Sequence, residues 1–198
     1  IFHTDGGDVV LPLLRQQKDG EECLSLSDFV KPCGTDYVGA FAVTAGRGIE
    51  EIISGYQQTD DFKALLYQSL SDRLAEAATE LLHARVRRDI WGYAPDERID
   101  RQRALRAQYR GIRPAAGYPS LPDQSAIFAI EKIVGFANVG IAVTPNGAMS
   151  PASSVSGLMI AHPASRYFMI GAIAPDQRRD YAARRGITEE ELSKWLPK

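Results

Sequence analysis

The sequence has 198 residues, of which 44% are hydrophobic and 24% are charged, a composition typical of a globular domain rather than a disordered or fibrous chain. The net charge of -2 argues against a strongly basic surface on this protein that would bind nucleic acid or anionic membranes. No apolar stretch is long enough to cross a bilayer, and Cys23 and Cys33 are more typical of reduced thiols than of a disulfide frame, so we expect a cytoplasmic protein.

The first third of the chain predicts short strands, turns and one short helix. Gly6-Gly7 indicates a turn, and residues 9–11 follow it as a possible strand. Residues 26–29 are typical of a short turn or strand start. Small and apolar residues alternate over 37–44 and predict a buried strand. Residues 49–57 then predict a short helix.

The strongest helical pattern runs from about Asp60 to Trp91. Asp60 and Asp61 provide an N-terminal cap, and Gly92 and Pro95 end the helix. Apolar residues recur at steps near 3.6 and form one stripe, namely Leu66, Leu70, Leu74, Ala77, Leu81 and Ile90. Polar residues at steps of three or four form another face, namely Asp72, Arg73, Glu76, Glu80, His83 and Arg87. This face is either a solvated surface with local ion pairs or a wall of a cleft in which a carboxylate meets a cationic ligand.

The second half of the chain mixes further helices and strands. Helices are predicted at 98–109, 125–134 and 175–184, and a capping box at Thr188 predicts a last helix to Trp195. Strands are predicted at 141–144, 155–161 and 167–174, with turns at 146–147 and 162–165. This mixed order, with hairpin-like strands late in the chain, favours an α+β fold.

The loop from Arg113 to Tyr118 is the best candidate for a binding site. Pro114 restricts the backbone, and Gly117 permits a positive φ or a close approach to a ligand. Arg113 can bind a carboxylate through two parallel hydrogen bonds, and Tyr118 can stack on a flat ring or a cation. A tight turn with Arg113 on the surface explains the same residues equally well.

Other motifs point away from common catalytic centres. The glycines around Arg47 lack the Lys-Ser/Thr ending of a phosphate loop, and no serine lies in a nucleophile elbow. Glu80 and His83 have an i, i+3 spacing, but one such pair is at most half of a di-iron site. We therefore expect neither a metal site nor a catalytic dyad.

Two adjacent aromatics, Tyr167 and Phe168, begin the last predicted strand. Neighbouring side chains of a strand point to opposite faces, so one of the two is expected in the core. The other either lines a pocket or covers the sheet.

Several stretches together resemble the activation domain of cobalamin-dependent methionine synthase. The resemblance extends from about Leu14 to Leu196. The matching stretches are residues 36–44 (DYVGAFAVT), 72–77 (DRLAEA), 91–95 (WGYAP), 111–119 (GIRPAAGYP), 154–157 (SVSG) and 180–186 (DYAARRG).

The resemblance implies an α+β fold around a twisted antiparallel sheet, with S-adenosylmethionine as the ligand. In the parent methyltransferase, which converts homocysteine to methionine, the cobalamin occasionally oxidises to inactive cob(II)alamin. The activation domain then supplies S-adenosylmethionine, and flavodoxin or another reductase supplies an electron, so that methylcobalamin is restored by reductive methylation. Methyl transfer from a sulfonium requires positioning rather than acid–base catalysis.

The resemblance also implies which residues bind the ligand. Arg113 holds the methionyl carboxylate, and Glu76 favours the sulfonium or the amino group. The remaining contacts come from the loop and from the aromatic pair, namely Ala115, Gly117, Tyr118, Tyr167 and Phe168.

The chain also departs from the family pattern. The family usually has two tyrosines where this chain has Tyr167-Phe168, which removes one hydroxyl. The family's region begins well before Ile1, so we expect residues 1–198 to form a single activation domain that lacks its N-terminal portion, including an acidic ligand contact. An Asp-x-His-x-x-Gly core is absent, so cobalamin is expected to bind mainly to another domain or chain.

Two rival functions remain. The chain could be a non-catalytic module that docks a corrinoid domain or a reductase, or a stand-alone activator of another corrinoid enzyme.

Overall fold

A computed structural model describes residues 1–20 and 22–197. The strands are β1 (Phe2–Thr4), β2 (Gly7–Val9), β3 (Gly39–Thr44), β4 (Ala142–Val143), β5 (Met149–Ser150) and β6 (Ser154–Met159). The α-helices are α1 (Ile49–Gln57), α2 (Asp61–Arg85), α3 (Arg101–Leu105), α4 (Ala126–Val134), α5 (Pro175–Arg185) and α6 (Glu189–Leu192). Short 3-10 helices occupy Leu26–Phe29 and Phe136–Val139.

The strands pair in antiparallel ladders, β1 with β2, β3 with β6 and β4 with β5. In the central ladder Phe41 lies opposite Gly157 and Val43 opposite Val155. The predicted turn at Asn146-Gly147 joins β4 to β5, and the Gly147 N–H donates to the carbonyl of Thr144. Mixed helices and antiparallel strands confirm the α+β class.

Helix α2 begins where the sequence predicts. The Asp60 side chain accepts a hydrogen bond from the Lys63 N–H at 3.0 Å, which satisfies one of the free amides of the first turn. The helix continues as a π-helical segment over Val86–Ile90, so the helical stretch ends next to the predicted Trp91. By contrast, the predicted helix at 98–109 is reduced to the five residues of α3.

The apolar stripe of α2 does not face the core. Leu66, Leu70, Leu74, Leu81 and Ile90 are 52–64% exposed. The buried side is a row of smaller and polar residues, namely Ala64, Ser71, Ala75, Thr79 and His83. Small side chains let α2 lie close to β3 and β6, and the Ser71 hydroxyl donates to the carbonyl of Ala45 at 3.2 Å. Close packing therefore uses the small-residue face and leaves the leucines outside.

The strand predicted at 167–174 is wrong. These residues are not part of any ladder. The Ile170 N–H donates to the carbonyl of Pro119, but no neighbouring strand continues that pairing. An apolar run alone therefore did not distinguish a strand from an irregular segment packed against a loop.

The main core forms where α4 packs against β3 and β6, around Ile130, Phe136 and Leu158. A second buried cluster surrounds Tyr181 and Leu192 of the last two helices. Phe168 packs against both clusters. In the described ranges no helix is long and apolar enough to cross a membrane.

The main core also fixes the loop that follows Arg113. The Leu158 N–H of β6 donates to the Pro114 carbonyl at 2.9 Å. A side chain at Gly157 would place its Cβ 2.5 Å from that carbonyl oxygen, so only glycine permits this approach. The SVSG stretch thus holds residues 114–115 against the central ladder.

Candidate functional site

A cleft of about 1080 Å³ lies beside Arg113, and we call it the Arg113 cleft. Its walls are the second half of α2, the segment from Glu97 to Tyr109, and the loop after Arg113. Five of the residues expected to bind a ligand line it, namely Glu76, Arg113, Ala115, Tyr118 and Tyr167. The fold therefore brings together most of the predicted site from three distant parts of the chain.

Arg113 is held by contacts at two of its nitrogens. Nη2 donates to Glu80 Oε2 at 2.7 Å, while Nη1 donates to the Tyr109 hydroxyl at 2.9 Å and to His83 Nδ1 at 3.3 Å. Burial opposes the positive charge, but Tyr109 and Glu80 outweigh it, and the pKa of Arg113 is raised. The guanidinium therefore stays charged and fixed in place.

The guanidinium has donors left over. A guanidinium carries five N–H donors, and the three contacts above use one on Nη2 and two on Nη1. Within residues 1–20 and 22–197, no acceptor meets Nε–H or the second Nη2–H. Arg113 can therefore still donate to a carboxylate while it keeps its protein partners.

His83 contacts Arg113 and is fully buried. Burial, and then the charges of Arg87 and Arg113, lower the pKa of His83 to about 3, so the imidazole is neutral near pH 7. Because an arginine can only donate, Nδ1 is the acceptor and the ring proton belongs on Nε2, which then donates to the Tyr93 hydroxyl at 3.3 Å. A neutral histidine thus supports the arginine without repelling it.

Glu80 has one oxygen without a partner. Oε2 accepts from Arg113, whereas Oε1 is enclosed and has no hydrogen-bond donor among the described residues. Among residues 1–20 and 22–197, the other enclosed side-chain atom without a partner is Nη1 of Arg87, although Nε of Arg87 donates to Glu97 Oε2 at 2.5 Å. Both Glu80 and Arg87 line the Arg113 cleft. Unpaired buried polar atoms are rare in folded proteins, and here they lie at a cleft.

Glu76 lies at the open side of the cleft. Its carboxylate pairs with Arg73, and both side chains are more exposed than buried. The role expected of Glu76 at the sulfonium or the amino group stays a prediction.

The loop after Arg113 takes its shape from a glycine. Gly117 has a φ of +81°, and a Cβ there would overlap the Gln124 side chain, so the turn requires glycine. Its N–H donates to the Leu121 carbonyl at 2.9 Å, and Tyr118 is left exposed. Gly117 therefore shapes the loop from outside the cleft lining, while Ala115 and Tyr118 belong to that lining.

The two adjacent aromatics have separate positions. The Tyr167 hydroxyl accepts from the Arg113 backbone N–H at 2.9 Å and lines the cleft. Phe168 packs among core residues, with its ring 6.2 Å from that of Phe29, and is not part of the cleft lining. One residue is thus in the core and one at the cleft, and a ligand contact for Phe168 stays a prediction.

The polar face predicted on the long helix included Glu80 and His83, with a cleft wall as one of its two interpretations, whereas the sequence assigned no binding role to Tyr109. In the structure Glu80 lines the cleft, and His83 continues the buried series Ser71, Ala75 and Thr79. Tyr109 precedes Arg113 by four residues. The Arg87 guanidinium lies over the Tyr109 ring, with its Cζ 4.2 Å from the ring centroid. Among the residues that the structure describes, no group of three side chains is arranged to hold a metal ion.

Two comparisons with known proteins concern this chain. The family model "Vitamin B12 dependent methionine synthase, activation domain" matches residues 3–186. A crystal structure described as the MetH reactivation domain bound to AdoHcy is similar, with 40% sequence identity and a TM-score of 0.87. The similarity covers 92% of this chain and 58% of that chain. The chain thus spans little more than half of that solved relative.

Proposed function

Since this chain belongs to the family of vitamin B12 dependent methionine synthase activation domains, we propose that it binds S-adenosylmethionine in the Arg113 cleft. We propose further that it supports the reductive remethylation of cob(II)alamin to methylcobalamin. The similar reactivation domain binds AdoHcy, the product that remains when S-adenosylmethionine has given up its methyl group. The ligand class of that relative therefore supports the proposal.

One observation of this chain supports the proposal most: Arg113 is anchored and still has unused donors. Its Nη1 contacts and the Glu80 contact fix the guanidinium, which leaves Nε–H and one Nη2–H for a carboxylate. Hydrogen bonds to a charged partner are worth about 1.5–3 kcal/mol each. Arg113 is therefore suited to hold the methionyl carboxylate.

The cleft also fits the rest of such a ligand. Its volume of about 1080 Å³ exceeds that of a nucleoside with an amino-acid arm, and its lining includes apolar side chains such as Leu81, Ile99 and Leu105. Tyr118 and Tyr167 offer aromatic faces, and Ala115 borders the same space. Glu76, at the open side, would favour a cation there.

When bound, S-adenosylmethionine supplies a methyl group activated by the neighbouring sulfonium. That transfer moves no proton, so the residues of the cleft need only bind the ligand, orient it and limit its access to water. Arg113 fixes one end of the ligand, and the loop over residues 115–118 limits its movement. This requirement fits a site in which a fixed arginine holds the ligand and no acid–base pair is needed.

The partners are part of the same proposal. We expect cobalamin to bind mainly to another domain or chain of a methionine synthase, which methylates homocysteine, and flavodoxin or another reductase to supply the electron. Residues 1–198 would then act as one activation domain, and the expected portion before Ile1 stays a prediction. The relative's larger size is consistent with further polypeptide taking part.

Calorimetric titration with AdoHcy tests the binding. The wild type should give a saturable heat, and Arg113→Ala should weaken the affinity by at least about 10- to 100-fold, because charge-assisted hydrogen bonds are lost. Arg179→Ala, which changes an exposed arginine of α5, should bind as the wild type does. No heat with the wild type would contradict the proposal and would favour a docking module without a ligand.

A further inference from the structure

We propose that Glu80 is a specificity-determining residue of the Arg113 cleft, where its unpaired oxygen Oε1 accepts the α-ammonium group of the ligand while Arg113 binds the adjacent carboxylate. The proposal rests on the proposed function, because it assumes a ligand with an amino-acid arm. It adds the recognition of the intact zwitterion to the recognition of a carboxylate.

The first argument is the unequal use of the two Glu80 oxygens. Oε2 accepts from Arg113 Nη2 at 2.7 Å, whereas Oε1 is enclosed without a donor among the described residues. An enclosed acceptor without a partner lowers the stability of the protein, and more so when it is charged. A ligand donor that reaches Oε1 removes this penalty. The hydrogen bond that forms therefore adds to the affinity for the ligand.

The second argument is that the ion pair and an α-amino acid both place opposite charges side by side. Glu80 and Arg113 place an anionic oxygen next to a guanidinium with unused donors. An α-amino acid carries its ammonium and its carboxylate on the same carbon atom. The carboxylate of the ligand can therefore accept a hydrogen bond from Arg113 while the ammonium of the ligand donates one to Glu80.

The third argument is charge balance. The carboxylates of Glu80 and Glu97 offset the guanidinium groups of Arg113 and Arg87, which are their direct partners. His83 is neutral between the two arginines. A zwitterionic arm leaves this balance unchanged, whereas a carboxylate or an amine alone adds a net charge to a partly enclosed site, where charges are costly.

The approach to Oε1 requires the Glu80 carboxylate to turn. The Glu80 side chain is 34% exposed although Oε1 is enclosed. The terminal torsion of a glutamate is broad, so the carboxylate can turn while the rest of the side chain stays in place. The Arg113 contact limits how far it turns and keeps the carboxylate at the cleft.

The test compares AdoHcy with its des-amino analogue, in which hydrogen replaces the α-amino group. Calorimetry on the full chain should show that the wild type prefers AdoHcy by about 10- to 100-fold, the value of one charge-assisted hydrogen bond. Glu80→Gln should bind AdoHcy as weakly as the wild type binds the analogue and should have lost the preference. Glu51→Gln, an exposed change on α1, should keep it, and thermal melting should show that every variant is folded.

The outcomes separate this inference from the proposed function. If the wild type binds AdoHcy and Glu80→Gln still prefers it over the analogue, the Glu80 inference is wrong and the proposed function stands. If Glu80→Gln weakens both ligands equally and keeps the preference, Glu80 only positions Arg113, and the inference is again wrong. If the wild type does not bind AdoHcy, the proposed function fails first.

Discussion

Two arginine–carboxylate pairs in this protein differ in how completely they are satisfied. Asp123 is buried and pairs with Arg185. Oδ1 of Asp123 accepts from the Ser125 N–H at 2.9 Å and from the Ser125 hydroxyl at 2.5 Å. Oδ2 accepts from the Tyr181 hydroxyl at 2.8 Å and from Arg185. Both oxygens are therefore fully used by the protein.

The Glu80–Arg113 pair has the same chemical groups but is left incomplete. Glu80 has one oxygen without a donor, and Arg113 has two N–H groups without acceptors in the described residues. The saturated pair joins α5 to the segment before α4, whereas the incomplete pair borders a cleft. The difference favours a role in fold stability for the first pair and supports the proposal that the second pair binds a ligand.

The largest expected effect concerns pH and the histidine behind the incomplete pair. The pKa of His83 is about 3 in the folded protein and about 6.5 when unfolded. The stability that this shift provides is therefore present above pH 6.5 and is lost as the pH falls towards 3. Over that window the wild type should lose about 5 kcal/mol relative to His83→Gln.

Urea unfolding of both proteins at several pH values measures this difference. Carboxylates that titrate in both proteins cancel in the comparison, so the remaining slope belongs to His83. Parallel curves for the two proteins between about pH 6.5 and pH 4 would show that His83 is not held neutral between Arg87 and Arg113.

The next effect tests the saturated pair. Asp123→Asn removes the charge that Arg185, Tyr181 and Ser125 share, and it leaves Arg185 without its counter-ion. The free energy of unfolding should fall by about 3 kcal/mol, measured by urea denaturation. AdoHcy affinity of the folded protein should be unchanged.

Asp180→Asn is the matched control for this change. Asp180 pairs with Arg184 on the exposed side of α5, and such surface pairs contribute about 0–1 kcal/mol. If Asp123→Asn and Asp180→Asn lower the free energy of unfolding equally, the buried pair stabilises the fold no more than the surface pair does.

A smaller effect is expected at Tyr167, which connects the incomplete pair to the rest of the cleft. Tyr167→Phe removes the acceptor of the Arg113 backbone N–H and should cost about 1 kcal/mol of stability and a few-fold of AdoHcy affinity. Thermal melting and calorimetry measure the two. Tyr37→Phe, which removes an exposed hydroxyl, should change neither the stability nor the AdoHcy affinity. An unchanged AdoHcy affinity for Tyr167→Phe would show that Tyr167 does not position Arg113.

Local patterns predicted the elements better than the contacts. The Asp60 cap and the turn at Asn146-Gly147 depend on residues close in sequence, and the structure confirms them. The exposed leucines of α2 were misleading, because burial depends on which face approaches the sheet. Ser71 and Ala75 allow the closer approach, and no sequence period reports that.

The same limit applies to the site. The residues 113–118 could be recognised because their composition and their resemblance to a family are local. The partners Glu80 and Tyr109 could not be assigned, because they meet Arg113 only when α2, the segment before Gly111 and the loop are packed together. The expected strand at 167–174 failed for a related reason, since a strand needs a neighbour that the sequence did not specify.

The most direct test of the central claim compares Arg113→Lys with Arg185→Lys, because lysine keeps the charge but cannot reproduce the planar guanidinium contacts. Calorimetric titration with AdoHcy and urea unfolding should be run on both variants. We expect Arg113→Lys to lose about 10- to 100-fold in affinity, and Arg185→Lys to lose stability while the folded protein binds AdoHcy as the wild type does. Unchanged affinity for Arg113→Lys, or an equal loss of affinity for both, would contradict the assignment of Arg113 as the ligand's anchor.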